Sequence, residues 1–195
     1  MRALTRIFVI LAGVLVLPVA QPALAETPKA LVESLGDKAI RQLTGTVARP
    51  EREARFQNLL TAGFDIHAIG RFTLGRYWNQ ANPAQQAEYL KLFEKFIVQA
   101  YAARFAEYSG EQFRVVGERP DGEVTIVQSE VFKPGNPPAR VEWRVRHGGQ
   151  PKIVDVVVEG ISMAVTQRSE FAAVISRGGG NVDSLLTALR QKTGS

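Results

Sequence analysis

The chain has 195 residues, no cysteine, 24 Lys+Arg against 19 Asp+Glu, and 45% hydrophobic residues. That balance excludes a disordered charged tail, and the charged fraction of 22% excludes an integral membrane protein. With no cysteine there is no disulfide scaffold, thiolate zinc site, cysteine nucleophile or lipid-modified N-terminal cysteine, and two histidines, His67 and His147, cannot build a multi-histidine metal site.

Met1–Ala25 reads as a secretory leader. Arg2 and Arg6 supply the positive start, Ile7–Leu17 the apolar stretch, and Ala23-Leu24-Ala25 the small-x-small cleavage signal. Pro18 and Gln21 interrupt the apolar run, which falls short of the roughly 20 residues a spanning helix needs. The expected working chain is a single domain over 26–195. Losing Arg2 and Arg6, and no acidic residue, lowers its net charge from +5 to +3. The expected compartment is a bacterial periplasm.

Helical spacing of apolar residues predicts helices over Leu31–Leu43, Glu51–Leu60 and Phe64–Leu74, the last broken at Gly75. Asn82-Pro83 with Gln85 forms a capping-box start for a long helix running to about Tyr108. After Gly110 the period changes to two. Phe113 and Val115, then Val124, Ile126 and Val131, then Val141, Trp143 and Val145, then Ile153–Val158 read as four strands joined by Pro- and Gly-rich turns. Short links of this kind make an antiparallel meander. Glu142, Arg144 and Arg146 alternate with the apolar positions, so one face is wet and the other packs on helices. Thr166–Arg177 and Val182–Gln191 complete the chain as helices around Gly178–Gly180. The class is α+β, a four-stranded twisted antiparallel sheet packed against several helices.

The chemical inventory is thin. Asp65 and His67 are the only carboxylate and imidazole close in sequence, and at i, i+2 on a helix they point apart. His147 borders a glycine turn, and Gly178–Gly180 lacks the Lys-Ser/Thr of a phosphate loop. The arginines form no basic run, so nucleic acid is not an expected partner. Asp155 interrupts an apolar strand and is either outward-facing or a buried, paired carboxylate. The long helix and the sheet's inner face carry a surplus of large apolar side chains, which serves equally for a packed core or the lining of a deep apolar pocket.

Arg71-Phe72-Thr73-Leu74-Gly75-Arg76-Tyr77-Trp78 followed by Asn82-Pro83-Ala84-Gln85-Gln86 resembles the Arg-x-x-Leu-Gly-x-x-Trp…Thr/Asn-Pro-x-Gln segment of the MlaC family. Asp155–Met163 with Thr166–Phe171, and the final Gly179–Arg190 stretch, resemble that family's last strand, following helix and C-terminal end. Gln167 stands where relatives often have Tyr or another polar residue. The resemblance implies a periplasmic phospholipid carrier, also called a toluene-tolerance protein, with no catalysis and no cofactor beyond its lipid cargo. It implies a monomer that shuttles between an inner-membrane ABC transporter complex with its substrate-binding ring protein and an outer-membrane lipoprotein–porin complex. A hopanoid-associated branch shares the motifs. Gly75, Gly160 and Gly178–Gly180 are the candidate hinges for release.

On that reading the expected pocket lining comes from every layer. The third helix supplies Phe72 and Leu74; the long helix supplies Phe93, Phe96, Ile97, Tyr101 and Phe105. The strands supply Ile126, Val131, Trp143, Val145, Val156 and Val158, and the C-terminal part supplies Ile161, Met163, Phe171 and Ile175. At about 0.8 kcal/mol per CH₂, two acyl chains of roughly 15 carbons represent over ~20 kcal/mol of gross transfer cost, which only a deep apolar cavity offsets. The reading from a different class is an exported hydrolase using Asp65, His67 or Asp155; a plainer one is an adaptor with a filled core.

Overall fold

The computed structural model describes residues 26–108 and 110–194; the proposed leader lies outside them. Thr27 caps the first helix, α1 (Pro28–Leu43), by accepting from the Ala30 amide at 3.1 Å. The second, α2 (Arg49–Gly63), is entered through Pro50, where a missing N–H costs the first turn nothing. Between them the chain turns around one side chain. Arg52 is 7% exposed and donates to the carbonyls of Leu43, Gly45 and Val47, at 2.9, 3.4 and 2.6 Å. It replaces water for the end of α1 and for the loop together. Arg52→Ala strands these carbonyls, and a loss of about 2–3 kcal/mol is expected in urea denaturation. Arg52→Lys should recover only part of it, because an ammonium lacks the guanidinium's planar fork.

The third helix, α3 (Ile66–Leu74), starts two residues later than the spacing predicts. Phe64 makes a bridge to Ile153, and Asp65 takes the cap position, accepting from the Ala68 amide at 2.9 Å. Gly75 ends it at φ +58°, a backbone conformation open to glycine, and leads into a 3₁₀ turn over Gly75–Asn79. The capping box opens α4 (Pro83–Ala102) with both reciprocal bonds present, Asn82 with the Gln85 amide at 2.9 Å and Gln85 with the Asn82 amide at 3.0 Å. This helix stops at Ala102, before the expected Tyr108, and tightens into a 3₁₀ turn over Ala103–Ala106.

Among the described residues the sheet has five strands, not four, in the order β1 (Gln112–Asp121), β2 (Val124–Phe132), β3 (Ala139–Arg146), β4 (Lys152–Val158) and β5 (Ile161–Ser162), all antiparallel neighbours. The fifth escaped the alternation argument because two residues carry no period. Ser162 then caps α5 (Met163–Arg177), so this helix begins three residues earlier than Thr166. Asn181 caps α6 (Val182–Thr193).

Directly paired residues share a face of a sheet. Val127, Trp143 and Val156 are successive cross-strand partners and face the helices. Ile126 pairs with Arg119 and Arg144 instead, and so belongs to the opposite face with the Arg114–Glu130 and Arg119–Glu142 ion pairs. Two apolar clusters result. One joins α3 to α6 around Tyr89, Phe93, Phe171 and Leu186; the other joins α1 to the sheet around Val32, Val127, Val145 and Ile153. Phe64 packs against both. Among the described residues no helix is long and apolar enough to cross a membrane.

Candidate functional site

Between the two clusters lies an apolar cavity of about 250 Å³. The helical spacing of α2 brings Phe56 and Leu60 to its wall, with Phe64 one turn further on; α3 adds Ile66, Ile69 and Thr73 by the same periodicity. From α4 and its 3₁₀ extension come Phe93, Ile97, Tyr101 and Phe105. The sheet contributes Trp143, Asp155, Val156 and Val158, and the first turns of α5 contribute Met163, Ala164 and Gln167. A second cavity of about 420 Å³ lies under α1, lined by Gly36, Ala39 and Ile40 and by Arg104, Glu107, Tyr108, Phe113 and Val131. Phe105 and Trp143 line both cavities and so form the partition between them.

Eight of the seventeen expected residues line the first cavity: Phe93, Ile97, Tyr101, Phe105, Trp143, Val156, Val158 and Met163. Val131 lines the second. Leu74, Phe171 and Ile175 are buried in the helical cluster, with Phe96 packed against it, and Val145 is buried in the sheet cluster. Ile126 is buried on the far face of the sheet, where its even-numbered position places it. Phe72 and Ile161 face outward, 42% and 59% exposed. Sequence reasoning missed the wall from α2 and α3. The signal was there, Phe56, Leu60 and Phe64 at intervals of four and Ile66, Ile69 and Thr73 at three and four.

Three polar residues join this lining, and the bonds of each define its part. Thr73 donates to the Gly70 carbonyl at 2.9 Å and shares a 2.8 Å hydrogen bond with the Tyr89 hydroxyl. Burial holds that phenol well above the usual tyrosine range, so it remains neutral. Gln167 is half-buried and donates to Glu170 at 3.2 Å, which makes the α5 end of the cavity the polar one.

Asp155 is the paired carboxylate of the two alternatives. It accepts from the Ser162 hydroxyl at 2.6 Å, from the Val156 amide at 2.8 Å and from the Ala164 amide at 3.1 Å, with Arg144 4.0 Å away. Its charge sits at the positive end of α5 and ties that helix to β4. Asp155→Ala is expected to cost about 2–3 kcal/mol by chemical denaturation, with Asp155→Asn intermediate, since an amide oxygen accepts more weakly than a carboxylate. A loss below about 0.5 kcal/mol would remove the carboxylate from this anchoring role.

Asp65 and His67 do not form a dyad. Asp65 caps α3 and meets Arg146 at 2.9 Å across 81 residues of chain, whereas His67 is exposed. The His147 ring bonds the Thr125 hydroxyl at 3.1 Å. Among the described residues no group of three or more His, Cys, Asp or Glu could hold a metal ion. What the arrangement offers is therefore apolar enclosure with a polar end, built between a sheet and four helices.

The chain is similar to known proteins. The chain is 25% identical over 189 residues to the intermembrane phospholipid transport system binding protein MlaC of Haemophilus influenzae, covering 89% of this chain and 86% of that one. It is 26% identical over 186 residues to the toluene tolerance protein ttg2D of Pseudomonas putida, again covering 89% and 86%. A phospholipid-binding protein from Ralstonia solanacearum, solved in complex with a phospholipid, has the same fold. Its TM-score is 0.71 at 24% identity, over 85% of this chain and 96% of that chain. The family model described as MlaC protein matches residues 33–191, which takes in every helix and strand that walls the cavity, and the chain belongs to that family.

Proposed function

We propose that the chain carries phospholipid through the periplasm by enclosing its acyl chains in the cavity between sheet and helices. The observation that carries this reading is the wall itself. Side chains from α2, α3, α4, α5 and four positions on β3 and β4 converge on an apolar space that they do not fill, where a protein needing only a stable core would close it. Burying tails there removes them from water at about 0.8 kcal/mol per CH₂. The headgroup belongs at the α5 end, beside Gln167, where the lining turns polar and water has access. The relatives named for phospholipid transport and the phospholipid-bound neighbour of the same fold support this assignment.

The carrier works by binding, with no bond made or broken. Its working form is the single domain over 26–195 released from its leader, a monomer. It takes lipid from one membrane complex and gives it to another: an outer-membrane lipoprotein–porin complex and an inner-membrane ABC transporter with its ring-shaped binding protein. The test is direct. The chain, expressed full length and purified as the cell processes it, is extracted with denaturing solvent and the extract analysed by mass spectrometry. Phospholipid at about one molecule per chain supports the proposal. A lipid-free protein that takes up no phospholipid from vesicles overturns it, and a stoichiometric hopanoid would reassign the cargo.

A further inference from the structure

The α3 and α5 helices lie side by side, and their inward positions, Ile69 and Thr73 with Ala164 and Gln167, wall the cavity. The outward side of the same seam carries a different surface. Phe72 is 42% exposed, Val165 52% and Ile161 59%, and Val165 stands one turn before Arg168 on the same face of α5. Arg168 bridges the seam. Its guanidinium stacks over the Phe72 ring at 5.2 Å, and its Nε would come within 2.8 Å of a Cβ placed on Gly75. Arg71 lies over the Trp78 ring at 5.8 Å and Arg76 over the Tyr77 ring at 4.9 Å, the latter donating to the Tyr77 hydroxyl at 2.9 Å.

These three cations are uncompensated. Among the described residues no carboxylate reaches ion-pair distance of Arg71, Arg76 or Arg168; Arg104, Arg140 and Arg177 also lack one but lie apart from this seam in sequence and carry no exposed apolar neighbours such as Phe72 and Val165, whereas Arg114, Arg119, Arg144, Arg146 and Arg190 are paired. The carboxylates of the neighbouring segments are engaged elsewhere: Glu170 by Gln167, Asp155 by Ser162 and the α5 backbone, Glu159 by the Arg140 amide at 2.5 Å.

We infer that this face docks a protein surface presenting carboxylates around an apolar centre, so that the partner seats on the outside of the seam whose inside is the cavity wall. The inference rests on the carrier reading and adds to it the surface and the chemistry of the partner. Stacking on aromatic rings holds each guanidinium in place, and planar forks at set positions match carboxylates at set positions. A fluid bilayer presents mobile charges and is gripped by deeply inserted apolar side chains, whereas Phe72 here is half covered by Arg168. Charge complementarity then steers encounter, and the ring and aliphatic groups supply a desolvated centre.

The probe is the purified soluble domain of the ring protein from the same organism's lipid ABC transporter, immobilised and titrated with the lipid-loaded chain. Vesicles of phosphatidylethanolamine and phosphatidylglycerol serve as the membrane alternative. Arg168→Glu, Arg71→Glu and Phe72→Ser are each expected to weaken binding to the ring protein about tenfold or more, and added salt to weaken the wild type. Arg41→Glu on α1, far from the seam in the fold, should bind normally. Lipid content, measured on the same samples, should not change. Unaltered affinity in folded Arg71→Glu and Phe72→Ser variants overturns the docking surface. So does a lipid-loaded wild type that ignores the ring protein, or one whose patch variants lose only vesicle binding. Lipid present in those samples shows that the carrier reading survives; its absence marks the failure of that reading instead.

Discussion

Ile97→Glu is expected to empty the protein of lipid while leaving it folded. Ile97 lines the cavity from α4 but is only partly buried, so in the lipid-free protein a carboxylate there still meets water. Once acyl chains fill the space that water is gone, and an unpaired charge against hydrocarbon costs several kcal/mol. Each ~1.4 kcal/mol is a tenfold change in affinity, so retention should fall by at least about a hundredfold. Ile97→Met, which conserves volume and polarity, should retain lipid as the wild type does. The readouts are phospholipid per chain after purification and the thermal midpoint of delipidated samples. Wild-type lipid content in a folded Ile97→Glu variant would move the binding site away from this cavity.

The reading from sequence reached furthest where a local rule decides. Asn82-Pro83 with Gln85 names a helix start by chemistry that acts within four residues, and Gly75 names a stop because the chain there needs a positive φ. Cavity membership is another kind of property. Leu74 and Thr73 are neighbours in sequence and both are buried, yet Thr73 borders the cavity while Leu74 fills the helical core. Hydropathy cannot separate them; the packing angle between helices does. Ile126 was separable in principle, since its even position shares a face with Gln128 and Glu130, whereas Val131 belongs with Val127. The two-residue β5 and the 3₁₀ turn at Ala103–Ala106 carry too few residues for any period to show.

The same distinction applies to Asp65, His67 and Asp155, the residues of the hydrolase reading. Asp65 and Asp155 are bound into the framework, whereas His67 is exposed. Asp65 joins α3 to the sheet through Arg146, and Asp155 joins β4 to α5 through Ser162.

Trp143→Ala should show the converse of Ile97→Glu, a protein that loses stability because its partition is gone. The Trp143 ring meets Phe64 and Phe113 edge-on, with centroids at 6.4 and 6.2 Å, and its Nε1 donates to the buried Ser129 hydroxyl at 2.9 Å. Phe64 reaches both apolar clusters, so the indole supports a side chain that joins them. Truncation opens the wall between two cavities that the surrounding strands cannot collapse to fill, and a loss of about 3–5 kcal/mol follows. For a chain of this size that is a drop of roughly 10 °C in thermal midpoint. Trp143→Phe keeps a ring in the partition and gives up the hydrogen bond, at about 1 kcal/mol for that bond alone. Urea denaturation of delipidated protein measures both. The order of the two variants is the decisive result. If Phe were as damaging as Ala, the Ser129 bond would be what holds the wall; if Ala cost less than about 1 kcal/mol, the indole would be lining only, and the partition would rest on Phe105.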